Sequence, residues 1–228
     1  MSTRRRMMMA YNDTVVLKET SVRDLPIGSK LKLSNGMTFI LSVFDVARGT
    51  AVFLSEHILE NVPWTTGDNL IKPQDADVNT VTLKKYYSSL SPEDKLVLRR
   101  NGFTNFSSPV IEYLRDISIE YRIKRRPKYK PDAPERMPED YWTGTVRERK
   151  LTPEVSNDPS PRWEQRVMCV DDSGNFYEEV VFITGHGYAE TQRGVVAAFS
   201  VESVTNVKFE SGYWTFVGES FEIPDIIV

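Results

Sequence analysis

The sequence predicts an α+β domain built from antiparallel sheets and two helices, with an N-terminal arm and a C-terminal β-hairpin. Three observations lead there. Apolar residues alternate from Ile27 to Leu54. Two helix starts marked by Ser-Pro follow, at Ser91-Pro92 and Ser108-Pro109. After residue 140 only strand-like segments remain. At 228 residues the chain fits one elaborated domain, and 40% hydrophobic content is enough to build its core.

Residues 1–13 carry Arg4, Arg5 and Arg6, then Met7, Met8 and Met9, and have no apolar period, so they read as a flexible basic arm. The short apolar run after the arginines lacks the cleavage region of a signal peptide. No stretch approaches the roughly 18 apolar residues that a membrane helix needs. The domain proper is placed at 14–203. Its first hairpin pairs Leu31 and Leu33 with Met37, Phe39, Leu41 and Val43 across Ser34-Asn35-Gly36, since Asn-Gly supplies the positive φ angles of a tight turn. Thr50 to Leu54 forms the next strand. Residues 55–80 are rich in Asn, Asp, Pro and Thr and read as a surface connection anchored by Trp64.

Ser91-Pro92-Glu93-Asp94 offers a cap, a proline in the first turn and carboxylates at the positive end of the helix dipole, and Asn101-Gly102 supplies the stop. In the second helix Val110, Leu114, Ile117 and Tyr121 share one apolar face directed at a sheet. Residues 124–140 contain repeated prolines and form an extended connection. Six strands are expected beyond it: Tyr141–Val146, Arg166–Val170, Phe176–Ile183, Val195–Val201, Val207–Phe209 and Tyr213–Val217. Residues 204–228 are set apart as a C-terminal hairpin extension.

Chemistry is constrained by scarcity. His57 and His186 are the only histidines and Cys169 the only thiol, so no disulfide can form within the chain and a His/Cys zinc site cannot be assembled without carboxylates. No cofactor and no metal is expected. Asp171-Asp172-Ser173-Gly174-Asn175 lacks the distal glutamate of a calcium loop and reads as a turn. Gly185-His186-Gly187 is not followed by a lysine-bearing helix and does not make a phosphate loop. With 29 basic and 32 acidic side chains the net charge is −3, which gives no general attraction to nucleic acid or an anionic membrane. The basic stretch Arg122 to Lys130 reads as a solvated connection rather than a nucleic-acid track. Aromatic and polar side chains in loops 153–166 and 184–194 are the expected ligand contacts: Trp163, His186, Tyr188 and Arg193.

Several segments together resemble the family called domain of unknown function 6273, which occurs in phage and bacterial proteins. They are Ile27-Gly28-Ser29, Asn35-Gly36 with Phe39-Ile40-Leu41-Ser42-Val43, Val52-Phe53-Leu54, Leu90-Ser91-Pro92-Glu93-Asp94-Lys95, Tyr141-Trp142-Thr143 and Gly194-Val195-Val196-Ala197-Ala198-Phe199. The chain departs from the family at Gly144-Thr145-Val146-Arg147, where Arg-Ser is usual, and at Ala197, where proline is usual. The resemblance implies a C-type-lectin-like fold, shared with phage receptor-binding proteins and with sulfatase-modifying enzymes. The latter use paired cysteines, which the lone Cys169 does not provide.

The resulting expectation is a non-enzymatic phage virion structural protein of the tail, baseplate or head decoration that displays a lectin-like domain. It would be made in the host cytoplasm and located in the virion. Its partners would be other virion proteins, reached through Arg4, Arg5, Arg6, Met7, Met8 and Met9 and through the C-terminal hairpin, and it would form a homo-oligomer. The alternative is a carbohydrate- or host-receptor-binding module that meets a host-surface glycan. A third reading is a hydrolase that uses His186 with Asp171 or Glu190.

Overall fold

The computed structural model describes residues 19–66, 70–118, 122, 140–151, 162–183, 187–188 and 191–217. The strands are β1 Glu19–Ser21, β2 Lys30–Lys32, β3 Thr38–Asp45, β4 Thr50–Ser55, β5 Asn61–Pro63, β6 Tyr141–Leu151, β7 Arg162–Val170, β8 Phe176–Ile183, β9 Gly187–Tyr188, β10 Gln192–Gly194, β11 Ala198–Glu202, β12 Asn206–Glu210 and β13 Tyr213–Phe216. The helices are α1 Lys84–Ser88, α2 Pro92–Arg100 and α3 Ile111–Asp116. The strands form a seven-stranded sheet in the order β1-β12-β13-β2-β3-β4-β11 and a six-stranded sheet in the order β5-β10-β6-β7-β8-β9. The α+β class with mainly antiparallel pairing holds. Among the described strands only two pairings are parallel, Trp214 with Leu31 and Gly194 with Tyr141.

The turns follow the residues that mark them. Gly36 at φ +85° links β2 to β3, and Ser211 and Gly212, at φ 52° and 86°, link β12 to β13. Asp171 holds the β7–β8 turn, its Oδ1 accepting from the backbone of Ser173 and Asn175 at 2.8 Å each, so this carboxylate has a structural task. Helix α2 begins as expected, with Ser91 Oγ accepting from the Asp94 amide at 3.2 Å, and Gly102 at φ +83° follows its end.

Other expectations change. The C-terminal hairpin is no extension: β12 and β13 lie between β1 and β2, inside the seven-stranded sheet. Residues 55–80 are more than a surface connection. They contribute β5 and a π-helical turn, Val78–Leu83, that runs into α1. Helix α3 does not use Ser108 as its cap. Val110 stands at that position, and the Ile111 amide instead donates to Thr145 Oγ1 of β6 at 3.0 Å. The helix leaves αR geometry at Ile117, and Tyr121 lies outside the described residues. The single strand expected over Val195–Val201 is split, because Val195, Val196 and Ala197 cross from one sheet to the other and are fully buried. Their backbones bond to Glu60, Leu59 and Ser55 on the way.

Two apolar clusters fill the interior. The larger centres on Phe39, Phe53, Phe106 and Phe199, with ring centroids 4.8–6.0 Å apart, and on Trp64 edge-on to Trp142 at 6.0 Å. The smaller joins Val52 and Leu54 of β4 to Tyr141, Val170, Leu114 and Ile117. Each such side chain contributes about 1.5–3 kcal/mol by leaving water. Trp64, 1% exposed, therefore anchors its segment as the sequence indicated.

Candidate functional site

The strand β6 carries an irregularity that shapes the site. Trp142 pairs with Cys169 and Val146 with Val167, so Thr143, Gly144 and Thr145 bulge against a single opposing residue. The bulge grips the corner before α3. Gly144 N donates to Pro109 O at 2.8 Å, Thr143 Oγ1 ties back to Met168 O at 2.7 Å, and Thr145 Oγ1 takes the Ile111 amide. A Cβ on Gly144 would stand 2.9 Å from Ser108 O, so only glycine permits this approach.

Beside the bulge lies a cleft of about 420 Å³, walled by the 73–79 segment and the 102–110 loop. Its polar lining comes from Gln74, Asn79, Thr104, Asn105, Ser107 and Ser108, and none of its lining residues bears a charge. Asn79 organises the floor from the π-helical turn, a geometry that recurs at functional sites. Its Oδ1 accepts from Ser108 N at 3.0 Å and Ser108 Oγ at 3.2 Å, its Nδ2 donates to Pro73 O, and its carbonyl accepts from Asn105 Nδ2 at 2.8 Å. Asn105 Oδ1 is buried without a hydrogen-bond partner among the described residues. Gln74, Thr104 and Ser107 are exposed at the rim. Hydrogen bonds and apolar contact are what this lining can supply.

A larger hollow of about 570 Å³ runs between α2 and the β11–β12 turn, and it mixes Glu93, Arg100 and Glu202 with Val97 and Val204. Backbone and Ser91 hydrogen bonds hold the Glu93 carboxyl below its ordinary range, which fits its place in the first turn of α2.

Of the expected ligand residues, Trp163 and Arg193 do not line this cleft. Trp163 lies in β7 opposite Lys150, not in a loop, and is 38% exposed. Tyr188 pairs with Phe182 as part of β9 rather than in an open loop. His186 lies outside the described residues, as do Arg4, Arg5, Arg6, Met7, Met8 and Met9, most of the 124–140 connection, and Glu190. His57 is described and faces Glu56 at 3.9 Å. Arg193 belongs to a compact network on the six-stranded sheet. Its Nε donates to Tyr177 Oη at 2.9 Å and its Nη2 to Glu179 Oε2 at 2.9 Å, while Tyr177 Oη donates to Asp140 Oδ2 at 2.7 Å. Burial works against the Arg193 charge, but the Tyr177 hydrogen bond and the Glu179 carboxylate outweigh it and raise its pKa. Burial, then the Asp140 hydrogen bond, pushes the Tyr177 phenol upward, and burial pushes up the Cys169 thiol beside it. With its fork engaged in this network, Arg193 serves as a brace between β10 and β8.

More than half of the cleft lining falls in Gly102-Phe103-Thr104-Asn105-Phe106-Ser107-Ser108, part of a run that reads in sequence as one helix stop followed by one helix start. The density of amides and hydroxyls in it was the available signal. No family model matches the chain, and no curated protein or solved structure matches it.

Proposed function

We propose that this chain is a non-catalytic carbohydrate-binding protein, a phage virion component whose domain is of C-type-lectin-like type and whose saccharide site is the cleft between residues 73–79 and 102–110. The observation that carries the reading is the uncharged lining. In a chain with 27% charged residues, a cleft lined by amides, hydroxyls and the apolar Pro73, Phe103, Phe106 and Val110, with no charged side chain, suits a neutral polyhydroxylated ligand. Placement in a virion rests on the sequence resemblance. The half-exposed Phe209, its ring tilted 60° to that of Trp214 at 5.2 Å, offers the hairpin side of the domain an apolar contact for a neighbouring subunit.

A glycan array followed by calorimetry tests the binding role. Gln74→Ala and Thr104→Ala are expected to weaken saccharide binding without changing the melting temperature. Array silence, or unchanged affinity in both variants, overturns the assignment. Mass spectrometry of purified particles that finds no copies of the chain removes the virion setting.

A further inference from the structure

The polar cleft has an apolar neighbour. A second hollow of about 230 Å³ lies over Val52 and Leu54 of β4 and Ala198 of β11, with Pro109 and Tyr113 from the α3 corner. Phe103, Ser107, Ser108 and Val110 line both hollows, so the 103–110 loop is their common wall. The second hollow has a charge at its rim, but that charge is already answered: Arg48 Nη1 donates to Tyr113 Oη, and Arg48 Nε stands 3.6 Å from Asp45 Oδ2. It therefore presents an apolar chamber under a neutral rim.

We infer that the ligand is an amphipathic glycoside, whose saccharide occupies the polar cleft and whose apolar aglycone occupies the adjoining chamber. This rests on the saccharide reading above and adds the second half of the ligand. The size supports it. An apolar void of about 150 Å³ suffices to take up benzene, so about 230 Å³ accommodates a phenyl ring or a short alkyl chain. An acetamido methyl would leave most of it empty. Adjacency supports it as well, since Phe103 and Val110 border both hollows while Ala198 and Leu54 line the chamber side.

The test compares methyl, phenyl and hexyl glycosides of glucose, galactose, mannose and N-acetylglucosamine by calorimetry on the full chain. For any sugar that binds, the phenyl or hexyl form is expected to bind about tenfold or more tightly than the methyl form, because apolar area leaves water. Ser200→Leu, at a half-buried chamber position on β11, is expected to abolish that gain while leaving the methyl glycoside unaffected. Gln74→Ala should weaken all three forms equally. If no glycoside of any kind binds, the saccharide reading itself falls. Equal binding of methyl, phenyl and hexyl forms overturns the amphipathic ligand and leaves the saccharide site standing. A gain that persists in folded Ser200→Leu, or 1-hexanol binding as tightly as the hexyl glycoside, also overturns it.

Discussion

Trp214, near the C-terminal end of the described chain, lies opposite Leu31 in one of only two parallel pairings among the described strands, and this contact places the last hairpin beside the first. Leu31 is fully buried, and Val207 and Phe216 of the hairpin belong to the same core cluster. A chain truncated after residue 203 thus loses the strands between β1 and β2, not an appendage. It is expected to be insoluble or to lack a cooperative melting transition, whereas deletion of residues 1–12 should leave the transition in place. A sharp transition in the 1–203 chain would contradict this assignment.

Gly144→Ala is expected to destabilise by roughly 1–3 kcal/mol, because the added methyl meets a backbone carbonyl that cannot move without breaking the Gly144 to Pro109 bond. Gly212→Ala also loses stability, but for a different reason, its positive φ. Only Gly144→Ala should disturb saccharide binding, since it sits in the cleft wall. Chemical denaturation together with calorimetry separates the two.

Leu114→Asp should cost several kcal/mol, because a fully buried position between Val52, Tyr141 and Val170 offers a carboxylate no water. Arg115→Ala, on the exposed side of the same short helix, should shift the melting temperature little. Equal melting temperatures would invert the assigned face.

The Tyr177 phenol and the Cys169 thiol are both held protonated in the fold, chiefly by burial. Each has a folded pKa above its unfolded one, so its contribution is fully present below the unfolded value. It is lost as pH rises, from about 8.5 for the thiol and about 10 for the phenol. Denaturant midpoints should therefore fall above about pH 8.5, and Tyr177→Phe should flatten the part of the decline above about pH 10. The thiol should also resist a disulfide reagent at pH 8 in the native protein and react promptly in denaturant.

The hairpins, helix α2 and the anchor at Trp64 were legible in the sequence because each depends on local chemistry: Asn35-Gly36 for a turn, Ser91-Pro92 for a start, an isolated large apolar residue for an anchor. What escaped depends on distant partners. Trp163 lies in a solvent-facing part of β7 after a polar stretch, so nothing local extends the strand that far. Val195 to Val201 reads as one apolar strand, since a segment that crosses between sheets through the core shows the same uninterrupted burial as a central strand. Asn79 and Asn105 lie 26 positions apart and meet only in the fold. Amides in turns have a ready local explanation, which hid their joint role in the cleft.

The placement of the last hairpin inside the sheet also sets the order of events at the ribosome. Leu31 emerges early, yet its neighbour Trp214 is about 180 residues further along, so at 5–20 residues per second strand β2 waits roughly 10–40 s for its second neighbour. During that interval the β2–β3–β4 meander exposes an unpaired edge at β2, open to pairing with another nascent chain. Lys30 and Lys32, the outward residues of β2, put positive charge along that edge while it is bare, a guard that acts during synthesis; once β13 has docked, Lys32 Nζ lies over its Tyr213 ring at 5.1 Å and Lys30 pairs with Glu56.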